Sequence, residues 1–251
     1  MRLDTLATYL DNYLRIAEEV ADPPEALNGL QVANAGDVTR LAAAVDLCAA
    51  TVRLASAESA DLLVVHHGLF WGGLRPLTGP FYDRVAGLLR SNIALYAAHL
   101  PLDRHPDVGN NSQLARLLGI KVRGEFGSYR GAPIGVWGER SGTRKELSRA
   151  LEQALGGAAR LLPFGPERVQ RIGIVTGAGG SLIPQAAAAG LDTYITGEGQ
   201  HWTYFDAEEL RLNVFYAGHY ATETIGVKAL AEHISKKFDL PWVFLDHPTG
   251  L

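Results

Sequence analysis

The sequence predicts an α/β protein built on mixed sheets, and three observations lead to this class. A chain of 251 residues, 47% hydrophobic and 20% charged, can bury a sizeable core. Windows with helical periodicity alternate along it with short apolar runs of strand length. Two strand–helix–strand stretches also resemble each other, which indicates an internal duplication.

Strands are predicted where a short apolar run is bounded by polar residues, glycine or proline. In chain order these runs cover residues 41–45, 62–65, 94–97, 134–137, 171–175, 193–196 and 214–217. The glycine-rich stretch 124–138 is interpreted as turns around one short strand. A boundary between two lobes is expected near residues 120–131.

Helices are predicted where apolar residues recur every three to four positions. These windows cover residues 5–20, 48–59, 81–91, 112–118, 145–155, 182–189 and 223–237. The first window is amphipathic, because Asp11, Arg15 and Glu18 interrupt its apolar residues. Thr143 and Glu146 have the spacing of a capping box, which predicts a helix start just after Thr143.

The internal match falls at two places in the same order. Residues 61–68 overlay residues 192–199 without a gap, and both stretches read as a strand that ends in polar residues and glycine. Residues 96–99 overlay residues 216–219, and the histidine that ends each is followed four positions later by an acid. The sequence therefore predicts two α/β repeats, residues 1–120 and 121–251. A chance match between alanine-rich strands is the alternative interpretation.

Charge and composition exclude several classes of protein. The formal net charge is −4 and no run of basic residues occurs, which argues against a binding surface for duplex nucleic acid. No window approaches the roughly 18 consecutive apolar residues of a membrane span, and the N-terminus lacks the layout of a signal peptide. We therefore expect a cytoplasmic protein without membrane contact. The single cysteine, Cys48, leaves histidine, aspartate and glutamate as the available metal ligands.

Two adjacent histidines, His66 and His67, follow one of the predicted strands and precede Gly68. Ligands bind at the carboxyl ends of strands in open α/β sheets. Neighbouring residues of a regular strand point to opposite faces, so both imidazoles reach one site only if the chain leaves the sheet, which Gly68 permits. The alternative is that one histidine is packed and the other solvated.

Histidines and carboxylates also follow two further strands. His99 ends the strand at 94–97, and Pro101 places Asp103 on a rigid turn. His219 ends the strand at 214–217, and Glu223 lies in the first turn of the last predicted helix. Simpler roles remain open for both acids: Asp103 as a turn or cap residue, and Glu223 as a partner of the helix dipole.

Together, His66, His67, Asp103, His219 and Glu223 form a mixed nitrogen and oxygen donor set. Such a set suits Zn, Mn, Fe or Ni rather than Ca or Mg. A catalytic zinc ion keeps three protein ligands, so five donors exceed the need of one ion and are a natural supply for two. Two divalent ions can lower the pKa of a shared water and hold the attacked and leaving oxygens of a substrate.

Four motifs carry a resemblance to a known family. They are HHGLFW at residues 66–71, HLPLDRHPDVGNN at 99–111, TGE at 196–198 and AGHYATE at 217–223. In this order the chain resembles, over nearly its whole length, the dinuclear-metal-centre hexameric proteins. This NGG-interacting-factor-like family is often labelled "GTP cyclohydrolase I type 2 homologue".

The resemblance implies two intertwined α/β repeats and two divalent transition-metal ions per chain. It places the metal ligands on the five residues selected above, with His99 beside the site. It also implies a toroidal homohexamer whose metal sites face an interior cavity, and the chain shows no room for the extra domain that some members insert. His201 departs from the family pattern, and either an added site residue or a surface residue is compatible with it.

Three functions are compatible with these features. The first is a metal-dependent, hydrolase-like activity on a nucleotide or related small molecule, in which His99 or Glu198 moves protons. The family label is not adopted as an activity, because no residues identify a guanine pocket. The second is a non-enzymatic hexameric metal-binding or regulatory scaffold. The third is a ring that admits single-stranded nucleic acid or a protein partner. No dinucleotide cofactor is predicted, because Leu182 stands where the third glycine of G-x-G-x-x-G is needed.

Overall fold

A computed structural model describes residues 1–18, 22–23, 26–71 and 73–250 of the chain. The predicted α/β class is confirmed, because helices alternate with strands that form mixed sheets. The chain divides into two compact units. The first unit comprises Met1–Leu102 and Val227–His247, and the second comprises Asp103–Gly226 and Pro248–Leu251. None of the described helices is long and apolar enough to cross a membrane.

The secondary-structure elements are named here in chain order. The strands are β1 (Gly29–Val32), β2 (Leu41–Asp46), β3 (Leu62–His67), β4 (Ala94–Ala97), β5 (Lys121–Tyr129), β6 (Ala132–Thr143), β7 (Arg160–Pro163), β8 (Arg168–Val175), β9 (Thr193–Thr196), β10 (Asn213–Tyr216) and β11 (Trp242–Phe244). The helices are α1 (Leu3–Tyr13), α2 (Ala49–Ala57), α3 (Gly79–Arg90), α4 (Leu100–Asp103), α5 (Asn110–Leu117), α6 (Arg144–Leu155), α7 (Ile183–Ala188), α8 (Thr203–Glu209) and α9 (His219–Phe238).

The sheet of the first unit has the strand order β1-β4-β3-β2-β11. Strands β2, β3, β4 and β11 are parallel, whereas β1 runs antiparallel to β4 at the edge. Leu63 and Val65 of β3 are fully buried and belong to the same core cluster as Val52 of α2 and Leu88 of α3. The parallel arrangement brings the carboxyl ends of β2, β3 and β4 to one edge, where His67 lies opposite Asp46.

The sheet of the second unit has the order β5-β6-β8-β9-β10-β7. Its centre, β8-β9-β10, is parallel, and the remaining pairs are antiparallel. Leu147 and Leu151 of α6 share a core cluster with Ile172 of β8 and Phe215 of β10. This parallel centre also carries its functional residues at the carboxyl ends of the strands, because Glu198 follows β9 and His219 follows β10.

The interpretation of residues 124–138 as turns around one short strand was wrong about the turns, although the strand predicted at 134–137 lies within β6. These residues belong to a hairpin of two long strands, β5 and β6. The hairpin turns at Arg130 and Gly131, which have φ angles of 50° and 90°, as the two central residues of a type I′ turn require. Gly135 and Gly138 lie within β6, where a Cβ atom would overlap the main-chain oxygens of Ile174 and Lys121. These glycines permit close approach of strands rather than turns.

Helix starts and ends refine the predicted windows. The window at 5–20 gives α1, which ends at Tyr13, followed by a 3-10 turn at Ile16–Glu18. Residues 19–20 of that prediction lie outside the described residues. The capping box is confirmed, since the Glu146 N–H donates to Oγ1 of Thr143, and the Thr143 N–H donates to the Glu146 carboxylate. The last helix begins at His219, four residues earlier than predicted.

Candidate metal centre

The first unit places His66 and His67 at the end of β3. His66 is fully buried, and its Nδ1 lies 2.9 Å from the carbonyl oxygen of Ala98. Nδ1 of His67 lies 2.8 Å from Oδ1 of Asp46, which ends the neighbouring strand β2. A carbonyl or carboxylate oxygen only accepts hydrogen bonds, so each Nδ1 is the donor. In the neutral ring this leaves the lone pair on Nε2, the form in which histidine binds a metal ion.

His99 is held in the same way. Its Nδ1 lies 2.5 Å from Oδ1 of Asp22, and its backbone N–H donates to Oδ1 of Asn28. Oδ2 of Asp22 accepts further hydrogen bonds from the side chain of Asn28 and the N–H of Leu100. The indole ring of Trp71 packs edge-on against the imidazole, with the ring centroids 4.9 Å apart. The orientation of His99 is therefore fixed by a buried carboxylate and an aromatic ring.

The three imidazoles of the first unit form one cluster. His66, His67 and His99 each offer a ligand nitrogen, and these nitrogens lie within 4.8 Å of one another. The ring centroids of His66 and His67 are 4.7 Å apart, although both residues belong to β3. Both rings thus reach the same place at the end of the strand, as the functional interpretation of this pair requires. The structure groups His99 with them and leaves its role as ligand or neighbour a prediction.

Gly68 does not form the sharp turn that was expected after the two histidines. Its φ angle lies outside the left-handed region, so the backbone there does not require glycine. A Cβ atom at Gly68 would instead stand 2.6 Å from Cβ of Ala97 and 2.5 Å from Nε2 of Gln31. Oε1 of Gln31 accepts the N–H of Leu69 at 2.7 Å. Glycine is required because the chain after His67 passes directly against β4.

The second unit holds His219 between two carboxylates. Its Nδ1 lies 2.9 Å from Oε1 of Glu198, and its Nε2 lies 3.1 Å from Oε1 of Glu223. The hydrogen bond to Glu223 is the main cause that raises the pKa of His219 to about 9, and the hydrogen bond to Glu198 and the charges of both carboxylates add to it against the effect of burial. The site therefore favours a positive charge at this ring, from a proton or from a metal ion.

Asp103 lies in a network of buried polar side chains at the end of α4. Its Oδ1 accepts hydrogen bonds from Nδ2 of Asn110 at 2.8 Å and from Oγ1 of Thr176 at 3.2 Å. Nδ2 of Asn111 donates to the main-chain oxygen of Asp103, and its Oδ1 accepts the N–H of Thr176. Asp103 is only 6% exposed. This network fixes the carboxylate, as a metal ligand of an ordered site requires.

Two glycines leave room for the residues around His219. Gly177 has a φ angle of 66°, and a Cβ atom there would overlap Oε1 of Glu223. At Gly197, which the internal match aligns with His66, a Cβ atom would stand 2.7 Å from Cα of His219. The loop after β8, which contains Gly177 and Gly179, is held by hydrogen bonds within the second unit. The N–H groups of these two glycines donate to threonine hydroxyls. The loop thus supports Glu223 and His219.

Several supporting residues were missed by the sequence interpretation. Asp46 ends an apolar strand run, and the rule that selected His66 would have found it. Asn110 lies in the motif at residues 99–111 but was given no role, and Asp22 lies in a loop without any pattern. Among the histidines to which the sequence assigned no role, His105 accepts the N–H groups of Asp107 and Val108 and so closes a local turn. His201 is exposed and packs edge-on against Phe205.

The donor set fits divalent transition-metal ions on the evidence of its hydrogen bonds. All four imidazoles have Nδ1 at an oxygen atom, as metal-bound histidines almost always do. Asp103 and Glu223 are buried carboxylates, which are rare unless a positive group accompanies them. The fold and these donors define an α/β protein with a candidate histidine–carboxylate metal site.

The chain belongs to the Duf34/NIF3 family (NGG1p interacting factor 3), whose model matches residues 1–249. The resemblance seen in the sequence is thereby confirmed. The chain is 43% identical over 250 residues to the "GTP cyclohydrolase 1 type 2 homolog" of Deinococcus radiodurans, with 99% of this chain and 94% of that protein covered. Among solved structures, TTHA1606 from Thermus thermophilus is 42% identical, with a TM-score of 0.92 and 100% of both chains covered. Reduced HcgD from Methanocaldococcus jannaschii is 27% identical, with a TM-score of 0.84 and 98% of both chains covered.

Proposed function

We propose that this protein holds two divalent transition-metal ions, Zn, Mn, Fe or Ni, through His66, His67, Asp103, His219 and Glu223. The observation that carries the proposal is the common orientation of the imidazoles, each with Nδ1 at an oxygen acceptor. This arrangement presents Nε2 as the ligand atom and increases its basicity. Buried Asp103 and Glu223 supply negative charge that balances the ions.

The activity we propose is hydrolysis of a small molecule such as a nucleotide. Bound ions of this type acidify water and polarise the bond that is attacked. Glu198 accepts a hydrogen bond from Nδ1 of His219 and is only partly buried, so its carboxylate can exchange a proton with a substrate. His99 is held by Asp22 in a fixed orientation, which suits an imidazole that transfers a proton.

Metal content tests the ligand assignment. We expect purified protein to contain two ions per chain by elemental analysis, and anomalous scattering to locate them. Asp103→Ala and Glu223→Ala should each lower the content, because each removes a carboxylate ligand. Glu209→Ala is the matched control, since Glu209 is an exposed carboxylate at the end of α8. Two ions per chain in both ligand variants would show that the assignment is wrong.

A second candidate function is a non-enzymatic metal-binding or regulatory scaffold. The observation that favours it is the burial of the donors: His66 is 0%, Glu223 3% and Asp103 6% exposed. Donors as inaccessible as these suit ions that are held permanently. The two candidates differ in one measurement, hydrolysis of nucleotides and phosphate esters by metal-loaded protein with the Asp103→Ala variant as the blank. Full metal content without hydrolysis in such a panel would favour the scaffold.

A further inference from the structure

A pocket of about 740 Å³ opens in the second unit beside Glu198. Its walls come from β7, from the segment after β9, from α8 and from the end of β10. The volume lies in the range typical of small-molecule sites. Besides Glu198, its polar and aromatic lining includes Arg160, Tyr204, Phe205 and Tyr216. None of these four has a role in the metal site proposed above.

One wall of the pocket carries a positive charge. Arg160 begins β7 and lies directly opposite Tyr216 of β10 in the antiparallel ladder, so the two side chains share one face of the sheet. Leu162, two residues further along β7, is buried on that face. Among the part of the chain that the structure describes, no carboxylate forms an ion pair with Arg160. Its guanidinium is exposed and can pair with a phosphate or carboxylate group of a ligand.

Tyr216 presents a hydrogen-bond acceptor beside this charge. Oγ1 of Thr203 donates to the main-chain oxygen of Gln200, so its only proton is used. The Tyr216 hydroxyl, 2.5 Å from Oγ1 of Thr203, must therefore donate to it. The phenol oxygen keeps its lone pairs for an N–H or O–H group in the pocket. Burial raises the pKa of Tyr216, which keeps the phenol in this protonated form.

Aromatic rings form a second wall. Tyr204 and Phe205 of α8 line the pocket and pack edge-to-face, with centroids 5.5 Å apart. Phe164 packs edge-on against Tyr204 from outside the pocket, at 5.2 Å. Tyr204 and Phe205 are 38% and 48% exposed, although large aromatic side chains are among the most favourable to bury. A flat aromatic ligand would cover both.

The pocket is continuous with the candidate metal site. Glu198 and Gly218 belong to its lining, and the carboxylate of Glu198 accepts the hydrogen bond from His219. Gly199 must be glycine here, because a Cβ atom would stand 2.6 Å from the Tyr216 hydroxyl and 2.7 Å from Oγ1 of Thr203. A ligand held by Arg160 and the aromatic wall would therefore present its other edge to Glu198.

We propose that this pocket binds an aromatic ring that carries a phosphate or carboxylate group, with Arg160 pairing with the anion and with Tyr204 and Phe205 contacting the ring. The inference deepens the proposed function, on which it rests for the metal site next to Glu198. Arg160 is then a specificity-determining residue, because it selects anionic over neutral aromatic molecules.

Calorimetric titration of the full-length, metal-loaded protein tests the proposal with four probes. 1-Naphthylphosphonate and 1-naphthoate carry both the ring and an anion, 1-naphthol lacks the anion, and inorganic phosphate lacks the ring. We expect the two combined probes to bind more tightly than the other two. Whichever of the two combined probes binds more tightly shows whether the preferred anion is phosphate-like or a carboxylate. Failure of both combined probes to bind wild-type protein would overturn the proposal.

Substitutions test separately the two proposed contacts, the ion pair with Arg160 and the ring contacts with Tyr204 and Phe205. Arg160→Gln should weaken binding of the preferred anionic probe by about 10- to 100-fold, the cost of a hydrogen bond to a charged group, and should leave 1-naphthol unaffected. Arg149→Gln, which removes an exposed arginine from α6, is the control and should bind as wild type. Tyr204→Ala and Phe205→Ala should weaken both combined probes and 1-naphthol.

The metal content of each variant separates this proposal from the proposed function. Arg160→Gln protein that keeps its ions and loses affinity supports the pocket. Unchanged affinity in Arg160→Gln would overturn it, above all if Asp103→Ala alone abolished binding, because the anion would then bind the metal ions. Absence of ions from the wild-type protein would instead contradict the proposed function, and binding to the pocket could still be measured.

Discussion

At the residue scale, the oxygen atom that accepts the Nδ1 hydrogen bond of each imidazole affects the basicity of its Nε2. His67 and His219 each have a carboxylate at Nδ1, whereas His66 has a neutral carbonyl oxygen. A carboxylate increases the basicity of the opposite nitrogen more than a carbonyl does. His99 has the shortest of these contacts, 2.5 Å to Asp22.

We expect His99→Ala to keep both metal ions and to lose hydrolysis. The physical reason is the number of donors: His66 and His67 already supply two imidazoles from the first unit, and a third would crowd the ions. His66→Ala is the matched variant and should lose metal. Elemental analysis beside an activity assay measures both effects. Loss of an ion from His99→Ala, or a nitrogen of His99 at about 2.0–2.1 Å from a metal ion, would contradict this role.

Gly177→Ala should lower the metal content by displacing Glu223. The new methyl group would overlap Oε1 of Glu223, and the backbone there has a φ angle of 66°. Gly156→Ala is a control for the backbone effect alone, because Gly156 has a φ angle of 76° with no atom within 4 Å of the added carbon. Elemental analysis of both variants measures the difference. Equal metal content in the two would mean that the overlap with Glu223 is relieved without moving the carboxylate.

At the element scale, burial explains which strands the sequence predicts. Strands β2, β3, β4 and β9 are covered on both faces, and their apolar runs match the predicted windows closely. Strands β1, β5, β7 and β11 were missed because they lie at sheet edges and keep polar or partly exposed residues. The candidate site likewise has residues that a local sequence pattern reveals and residues that it does not. Histidines that end apolar strands could be predicted, whereas Asp22 depends on a tertiary contact with His99 that no local pattern reveals.

Two aspartates support the duplication, which stays a prediction. Oδ2 of Asp61 accepts the N–H groups of Thr39 and Arg40 just before β2. Oδ2 of Asp192 accepts the N–H groups of Gln170 and Arg171 near the start of β8. These aspartates are the aligned first residues of the internal match. Equal hydrogen bonding at equivalent places is what two copies of one ancestral unit would keep.

The capping box of α6 should make stability depend on pH. The hydrogen bond from the backbone N–H of Thr143, followed by that from its hydroxyl, lowers the pKa of Glu146 below its ordinary value of 4.5. Because the pKa is lower in the folded state, the stabilisation is present above pH 4.5 and is lost as the pH falls through the folded-state value. We expect the free energy of unfolding of Glu146→Gln to approach that of wild type as the pH falls from about 7 to about 3.

Urea titrations at several pH values measure this effect. Glu152→Gln is the control, because it removes a carboxylate from the same helix without touching the capping box. Thr143→Ala should cost about 1 kcal/mol at neutral pH, the usual contribution of an N-cap side chain. A difference between wild type and Glu146→Gln that stays constant over the whole pH range would show that the carboxylate contributes nothing through its charge.

At the scale of the whole molecule, we expect a closed homohexamer of about six times 27.0 kDa. Large apolar side chains are left exposed, among them Leu74 at 106% and Trp202 at 49%, and contacts between copies would cover such residues. Light scattering coupled to size-exclusion chromatography measures the mass. A dilution series is the control for weak association. A monomer throughout that series would remove this prediction.

The path of the chain has a consequence for synthesis on the ribosome. Strand β2 pairs with β11, so its partner appears roughly 200 residues later in the chain. At about 5–20 residues per second, that edge waits about 10–40 seconds for its partner. During this interval strand β2 (Leu41–Asp46) offers unpaired backbone groups along that edge to any other nascent chain. We therefore expect a risk of aggregation during synthesis, before β11 has emerged. Refolding experiments on the full-length chain would not detect it.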